Sequence, residues 1–437
     1  MKNGRQTERR RLSAGTIFML ILLAVVLGGS VLVLGRLSSG ASVDLSKLSM
    51  NVLDLQEDAS RDRTDDTPEA RPETKPQTAQ KKETPAAETT IRKKEEGFTL
   101  TVGGSISLSG EVRKNSKSTD SKVADYADVM MLLAPEINSD VNIVFLENIL
   151  SDQHKASDSV APGQAATLLK EAGFDMAACG FPQVYSSGRD GVEATLMTLD
   201  RHGISTLGIR YADDPGRTQI RTVNGVKAAF LQYTGTLSAK TRNAMEKEGT
   251  AGMVPEADIE QISQDITLAR QEGAEAVIIL LNWGKIGNNQ DKKQRDLAEG
   301  IAAAGADLII GNGSHLPQTA EYLNGENGKS VLCIWSLGAL LCGDRNSVKR
   351  MSGYLLHVTV RNDGQGGALI LNPEYTPIYT WTYKQDSRFY YRCIVSDGEA
   401  PDGMDSEQRK TMSRSAETVK TVLKDAPLSE RGNTDGP

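Results

Sequence analysis

From residue 97 onward, the chain alternates short apolar runs with longer stretches in which apolar residues recur every three or four positions. The short runs predict buried β-strands, and the longer stretches predict amphipathic helices. The predicted strands lie at 98–102, 141–146, 175–179, 204–208, 226–233, 276–281, 308–310, 331–337, 354–360 and 368–371. The predicted helices lie at 125–133, 165–172, 191–202, 259–272 and 292–304. Strands that alternate with helices in this way predict an α/β domain with much parallel strand pairing.

The segment 305–318 carries the clearest signal of a functional site. Its apolar strand at 308–310 runs into Gly311, Asn312 and Gly313, and His315 follows shortly after. Glycines on both sides of Asn312 permit backbone conformations that a Cβ would forbid. Because ligands bind beyond the carboxyl ends of strands in open α/β sheets, we expect a site at this turn.

A different pattern precedes the domain, because residues 16–35 carry no charge. At about 1.5 Å per residue, a helix of this length spans roughly 30 Å, the thickness of a bilayer core. Arginines at 9–11 precede the run, so the positive-inside rule places residues 1–15 in the cytoplasm and the chain from about residue 40 outside. A cleaved signal peptide is the alternative, although its apolar region is usually only about 7–15 residues long. We expect a single-pass cell-membrane protein that contacts the membrane through residues 16–35.

Composition divides the remainder of the chain. Residues 36–96 form a juxtamembrane segment and a stalk, and from residue 59 they are rich in charged residues, Thr, Pro and Ala, which predicts disorder. Residues 97–394 form the predicted extracytoplasmic α/β domain. Residues 395–437 form a polar C-terminal tail in which 406–424 is compatible with one helix.

Charge and cysteine content narrow the classes of partner. The net charge is −7 and the domain has no stripe of lysines and arginines, so nucleic acid is not an expected partner. The four cysteines form no CxxC pair and no cluster with histidine, which argues against structural zinc. We interpret them as small buried hydrophobic residues, and one disulfide among Cys179, Cys333, Cys342 and Cys393 remains an open alternative.

Five blocks resemble, in order and approximate spacing, the CapA family of extracytoplasmic proteins linked to poly-γ-glutamate and capsule synthesis. The most specific is segment 305–311 with His315 and Gln318. The other blocks are residues 146–147, 173–191, 282–284 and 336–338. The resemblance covers roughly residues 98–380. It implies an α/β fold with a two-sheet α/β/β/α sandwich that resembles calcineurin-like metallophosphatases.

The family's metal-binding positions are mostly replaced in this chain. Its Gly-Asp corresponds to residues 103–104, which are both glycine, and its Asn-Asn-His corresponds to Phe-Pro-Gln at 181–183. Its histidine before Trp-Gly is Asn282, one of three histidines survives in 311–315, and the Asn of Ser-Leu-Gly-Asn-Phe is Ala339. A two-metal site needs several charged or imidazole ligands around cations about 3.5–4 Å apart. We therefore expect no metal ion and no cofactor.

The remaining polar residues of these blocks are the candidate site residues. The candidate catalytic residues are Glu147 and His315. The candidate ligand-binding residues are Gln183, Asn282, Trp283, Asn312, His315 and Gln318. Each also has a structural interpretation: a strand-end histidine held by a backbone hydrogen bond, a glutamate that caps the next segment, a tryptophan in the core, and asparagines that form turns.

These observations lead to one functional hypothesis and two alternatives. The resemblance implies a membrane-anchored CapA-like envelope protein in capsule or poly-γ-glutamate-type polymer biosynthesis. With most metal ligands replaced, we expect a non-catalytic member that binds an anionic or glycan polymer, or capsule-assembly proteins. One alternative is a metal-dependent phosphoesterase-like or polymer-cleaving hydrolase with a reduced site around Glu147 and His315. The other is an assembly scaffold that works through the stalk and the membrane helix.

Overall fold

The computed structural model describes residues 97–115, 126–214, 216, 218–344, 347–385 and 387–432. The predicted cytoplasmic tail (1–15), membrane anchor (16–35) and stalk (36–96) lie outside these residues. None of the helices in the described part has the length and apolar character that spanning a lipid bilayer requires.

The described chain alternates strands and helices. The strands are β1 (Gly97–Ile106), β2 (Val141–Leu146), β3 (Ile149–Leu150), β4 (Val160–Ala161), β5 (Met176–Ala178), β6 (Ser205–Leu207), β7 (Gln219–Val223), β8 (Val226–Thr234), β9 (Ala276–Asn282), β10 (Leu308–Asn312), β11 (Ala320–Asn324), β12 (Ser330–Ile334), β13 (Ala339–Leu341), β14 (Ser352–Asn362), β15 (Ala368–Gln385), β16 (Arg388–Val395) and β17 (Ser429–Glu430). The helices are α1 (Gly110–Asn115), α2 (Ala127–Met130), α3 (Ala166–Glu171), α4 (Gly188–Arg201), α5 (Ala239–Lys247), α6 (Ile259–Gln271), α7 (Lys292–Ala303) and α8 (Ser406–Leu423).

Most of these strands belong to two sheets. The larger sheet has the order β16-β15-β14-β1-β2-β5-β6, with β13 also paired to β1 and β17 to β15. The smaller sheet has the order β11-β12-β10-β9-β8-β7. The central pairs β1–β2, β8–β9, β9–β10 and β10–β12 are parallel, which confirms the predicted parallel pairing.

Alternation along the strands explains how the layers pack. In β9, Ile278 and Leu280 face the larger sheet and join a core with Leu100 and Phe145, whereas Ile279 points the other way. Successive side chains of a strand point to opposite faces, so a strand covered on both sides is apolar throughout. Helices α6 and α7 cover the outer face of the smaller sheet, and α3 and α4 cover that of the larger sheet. The mixed α/β fold with two stacked sheets is therefore confirmed.

The C-terminal boundary at residue 394 was wrong. Helix α8 buries Met412, Val419 and Leu423, and it packs against β14 and β15. Strand β17 then pairs with β15 in parallel. Segment 395–432 is therefore part of the compact unit and is not a separate polar tail, because the apolar side of α8 recurs at helical spacing and needs a surface to cover it.

All four cysteines are buried and free. Their environment matches the interpretation as small hydrophobic residues, and none forms a disulfide. Burial raises the pKa of the Cys342 thiol to about 12, so it stays protonated at neutral pH.

Candidate functional site at the strand ends

Parallel register brings the polar residues of the two sheets to one end. Asn282 and Asn312 are direct neighbours at the ends of β9 and β10. Ser105 and Glu147 lie at the ends of β1 and β2, where the backbone N–H of Glu147 donates to the carbonyl of Ile106 at 3.0 Å. Because parallel strands finish at the same edge, four residues far apart in sequence meet there.

The carboxylate of Glu147 is the centre of this cluster. Its Oε1 accepts hydrogen bonds from the hydroxyl of Ser105 at 2.6 Å and from Nδ2 of Asn282 at 3.0 Å. Its Oε2 lies 2.5 Å from Nε2 of His315. The side chains of Glu147 and His315 are only 12% and 16% exposed. We call Ser105, Glu147, Asn282, Asn312 and His315 the Glu147 cluster.

The turn after β10 aims His315 at Glu147. Gly313 has φ +99° and His315 itself has φ +57°, a left-handed conformation that is uncommon outside glycine. The hydroxyl of Ser314 donates to the carbonyl of Leu316 at 2.9 Å and also contacts Ser336 at 3.0 Å. These bonds hold the turn so that the imidazole reaches across to the other sheet.

Asn312 joins the cluster through its contacts with Ser105 and Ser336. Its amide group lies 2.8 Å from the hydroxyl of Ser105 and 3.2 Å from that of Ser336. Asn312 is fully buried, so these bonds satisfy polar atoms that would otherwise be costly to bury. The amide therefore ties β10 to β1 and to the segment after β12.

The two ionisable groups stabilise each other's charge. Burial raises the pKa of Glu147, but the charge of His315 and the hydrogen bonds from His315, Ser105 and Asn282 outweigh it and hold this pKa below its ordinary 4.5. Burial lowers the pKa of His315, yet the Glu147 carboxylate outweighs both burial and the nearby Arg350 and keeps it above 6.5. Because one pKa is lowered and the other is raised, the two groups form an ion pair between about pH 4.5 and 6.5.

The donor set does not fit two metal ions. The described part of the chain has no group of three or more His, Cys, Asp or Glu residues that could hold a metal. The carboxylate and the imidazole bond to each other, and the remaining groups are hydroxyls and amides. A Cβ at Gly104 would lie 2.1 Å from the carbonyl oxygen of Gly338, so this backbone has no room for a side chain at that position.

The two glycines at 103–104 do not leave the site without a side chain from β1. Gly104 is followed by Ser105, whose hydroxyl lies inside the cluster. Gly104-Ser105 is therefore the pair that stands at the strand end, with a neutral hydroxyl where the resemblance implies a carboxylate. Serine after glycine is too common to be recognised as a site residue from sequence, and the same holds for Ser336.

The other three residues predicted from sequence, Trp283, Gln318 and Gln183, lie outside the Glu147 cluster. Trp283 is partly exposed and stacks on Trp335, with ring centroids 5.5 Å apart and planes at 17°. Gln318 is 5% exposed, and its Nε2 donates to the carbonyl of Asn288 at 2.8 Å, which is a structural contact. Gln183 is exposed in the turn after β5 and makes no contact with the Glu147 cluster among the described residues.

A groove of about 700 Å³ lies beside the cluster. Asn282 belongs to both, since it bonds to Glu147 and also lines the groove next to Trp283. Two other clefts, of about 370 and 890 Å³, are lined by none of the predicted site residues.

Comparison with known families identifies the chain. The family of bacterial capsule synthesis proteins called PGA_cap matches residues 99–344, which is more than half of the 437 residues. The chain belongs to this family. The match contains every residue of the Glu147 cluster.

Two curated proteins are similar to this chain. The PGA biosynthesis protein CapA of Bacillus subtilis (strain 168) is 25% identical over 206 residues, which cover 46% of this chain and 51% of that protein. The capsule biosynthesis protein CapA of Bacillus anthracis is 22% identical over 290 residues, which cover 65% of this chain and 69% of that protein. The chain thus spans about half the length of the Bacillus subtilis relative.

Solved structures with a similar arrangement of elements include two nucleotidase or phosphoesterase proteins. The NAD nucleotidase NadN of Haemophilus influenzae has a TM-score of 0.41 at 12% identity, covering 76% of this chain and 57% of that one. The calcineurin-like phosphoesterase YfkN of Bacillus subtilis has a TM-score of 0.39 at 12% identity, covering 75% and 99%. Similarity at this level says nothing about activity.

Proposed function

We propose that this PGA_cap protein contributes to the assembly of a capsule polymer of the poly-γ-glutamate type by binding the polymer, or proteins that assemble it, without two-metal hydrolysis. Family membership and the names of the two Bacillus relatives support the capsule role. The closed Glu147 cluster supports the non-catalytic part.

The observation that carries this proposal is the ion pair between Glu147 and His315. Both carboxylate oxygens accept hydrogen bonds from protein groups, and Nε2 of the imidazole faces one of these oxygens. A metal ion would have to break this pair and would then find one carboxylate, one imidazole and neutral groups. Loss of ligands weakens metal affinity, and here the neighbours that would complete a coordination sphere are serine and asparagine.

Residues 16–35 supply the second part of the proposal. We infer that they anchor the protein in the cell membrane and leave the α/β domain on the outer side, where a polymer leaving the cell would meet it. The uncharged length of the run and the preceding arginines support this. Alkaline extraction of cell membranes should leave the full-length protein in the membrane pellet, and protease added to intact protoplasts should remove the domain. Release into the alkaline supernatant would contradict the anchor.

Polymer binding with and without a chelator tests the central proposal. Purified full-length protein in detergent is titrated with poly-γ-glutamate of defined length, in buffer containing either EDTA or Mn²⁺, and polymer length is followed in the same samples. We expect saturable binding that EDTA does not change and a polymer of constant length. Polymer that shortens with Mn²⁺ and stays intact with EDTA would contradict the proposal and favour the hydrolase with a reduced site around Glu147 and His315.

A further inference from the structure

The groove beside Trp283 offers chemistry that the Glu147 cluster lacks. Its walls come from the ends of β8 and β9 and from the first turns of α6 and α7. A volume of about 700 Å³ falls within the range of about 300–1,000 Å³ that is usual for ligand sites. The residues that matter for its chemistry are Trp283, Lys285, Lys293 and Gln294.

The acidic residues that line the groove already have partners. Asp258 and Asp291 are the N-caps of α6 and α7 and accept from the backbone N–H groups of Gln261 and Gln294, both at 3.0 Å. Asp296 pairs with Lys292 at 2.7 Å. Each of the three carboxylates therefore has a local partner within its own helix start.

The basic residues that line the groove are available to a ligand. Lys285 and Lys293 are exposed, and neither makes an ion pair within the ranges the structure describes. The N-termini of α6 and α7 already hold the carboxylates of Asp258 and Asp291 as caps, so they add no further preference for negative charge. These two ammonium groups are the contacts that the groove offers to an anionic ligand.

Gln294 adds an unpaired hydrogen-bond donor. Its Oε1 accepts from the backbone N–H of Asp291 at 3.0 Å in the capping box of α7. Its Nε2 is buried and has no acceptor among the described residues, and the residue as a whole is 8% exposed. An unpaired buried donor is costly, so an acceptor that enters from the groove would relieve that cost.

Trp283 gives the groove a rigid wall. Its ring stacks on the buried Trp335, and its Nε1 donates to the Trp335 carbonyl at 3.2 Å. Trp335 in turn donates to Glu321 at 2.8 Å and lies under the guanidinium of Arg295, 5.0 Å from the ring centroid. A wall fixed in this way loses little conformational freedom when a ligand packs against it.

We propose that this groove binds a segment of a polymer whose repeating units carry carboxylates and amides, as poly-γ-glutamate does. Lys285 and Lys293 contact the carboxylates, Nε2 of Gln294 donates to an amide carbonyl, and the chain packs along Trp283. The inference rests on the proposed function and adds to it the place of binding and the chemistry recognised. The Glu147 cluster then supports the groove through Asn282 and does not contact the polymer.

Charge reversal with a matched control tests this inference. Full-length Lys293→Glu and Lys285→Glu, singly and together, are compared with Lys240→Glu, which reverses the charge of an exposed lysine in α5 that does not line the groove. Gln294→Glu keeps the oxygen of the capping box and the side-chain size while it removes the donor. Affinity for poly-γ-glutamate is measured at several salt concentrations, and neutral dextran serves as a competitor.

We expect the double variant to bind about tenfold more weakly at low salt, because two attractions become repulsions, and to lose part of the salt dependence. Gln294→Glu should weaken binding in the same direction, whereas Lys240→Glu should stay within about twofold of the wild type. If wild type and groove variants bind equally, the groove inference is wrong while the proposed function stands. If dextran displaces the polymer, the groove recognises a glycan and the inference also fails. If the wild type does not bind the polymer at all, both proposals fail.

Discussion

The Glu147 cluster and the groove beside Trp283 share Asn282, but their polar groups differ in what they can still bind. In the cluster, a carboxylate, an imidazole, hydroxyls and amides bond to one another. In the groove, two lysines and the Nε2 of Gln294 find no such partner in the described residues. A polar network that satisfies itself stabilises the fold, whereas groups left unpaired at a groove are free to contact a ligand. The Glu147 cluster, on one side of Asn282, thus stabilises the fold. The groove, on the other side, keeps polar groups that a ligand could contact.

Truncation of Glu147 should have the largest effect on stability. Glu147→Ala leaves His315, Ser105 and Asn282 without their shared acceptor, and we expect the free energy of unfolding to fall by about 3 kcal/mol. Urea denaturation of the purified protein measures it. Glu147→Gln, which keeps the shape and one acceptor, should lose less. A Glu147→Ala protein as stable as the wild type would show that the cluster does not stabilise the fold.

Adding a methyl group at Gly104 should have the second-largest effect on the free energy of unfolding. Gly104→Ala places a Cβ where the carbonyl of Gly338 lies 2.1 Å away, and this backbone cannot yield as a side chain could. We expect a loss of roughly 2–3 kcal/mol, at the upper end of overpacking effects. Gly188→Ala is a useful comparison, because it has no neighbour within 4 Å and tests only its positive φ of +67°. Equal losses for both variants would contradict the close approach at Gly104.

The ion pair should give a smaller, pH-dependent effect. The lowered pKa of Glu147 stabilises the fold above pH 4.5, and this contribution is lost as pH falls through that pKa. The raised pKa of His315 stabilises it below pH 6.5, and this contribution is lost as pH rises through that pKa. The difference in unfolding free energy between wild type and His315→Gln should therefore be largest between pH 4.5 and 6.5. A difference that stays flat from pH 6 to 9 would contradict the ion pair.

Taking the difference between wild type and His315→Gln also removes the contribution of another group that titrates in this pH range. Burial and a hydrogen bond with Glu430 raise the pKa of Asp397 to about 7, so Asp397 titrates in the same range. Its contribution is common to wild type and His315→Gln and cancels in the subtraction.

The lysines of the groove should have the smallest effect on stability. Lys285→Ala and Lys293→Ala remove exposed side chains without ion pairs in the described chain, so the free energy of unfolding should change by less than about 0.5 kcal/mol. The same denaturation assay measures both. A loss above 1 kcal/mol for either variant would mean that the lysine stabilises the fold and would weaken the contrast between the two regions.

Sequence patterns were sufficient for the central strands and insufficient for the edges. The strand prediction at 141–146 coincides with β2 because a strand covered on both faces is an unbroken apolar run. Strands β7 and β11 lie at the edges of the smaller sheet, alternate with exposed polar residues and were not predicted. Strand β15 extends far beyond the predicted 368–371, because a bulge at Asn372, with φ +49°, carries the chain past Pro373.

The candidate site was predictable only where residue type was distinctive. Glu147, Asn282, Asn312 and His315 were singled out from sequence, and the structure brings all four together. Ser105 was missed because a serine in a Gly-rich strand carries no signal. Gln294 and Lys293 were missed because they lie in an ordinary helix start, and only the three-dimensional arrangement shows that this turn borders the groove. Whether any of these residues contacts a ligand stays a prediction.

Metal stoichiometry is the most direct test of the account. Full-length protein is incubated with Mn²⁺, Zn²⁺ or Mg²⁺, desalted and examined by elemental analysis beside His315→Ala, which reports whether any metal found lies at the Glu147 cluster. If Glu147 and His315 pair with each other in place of binding metal, neither protein should retain a stoichiometric ion. Close to two equivalents of one metal in the wild type, lost in His315→Ala, would contradict the account and indicate a two-metal hydrolase.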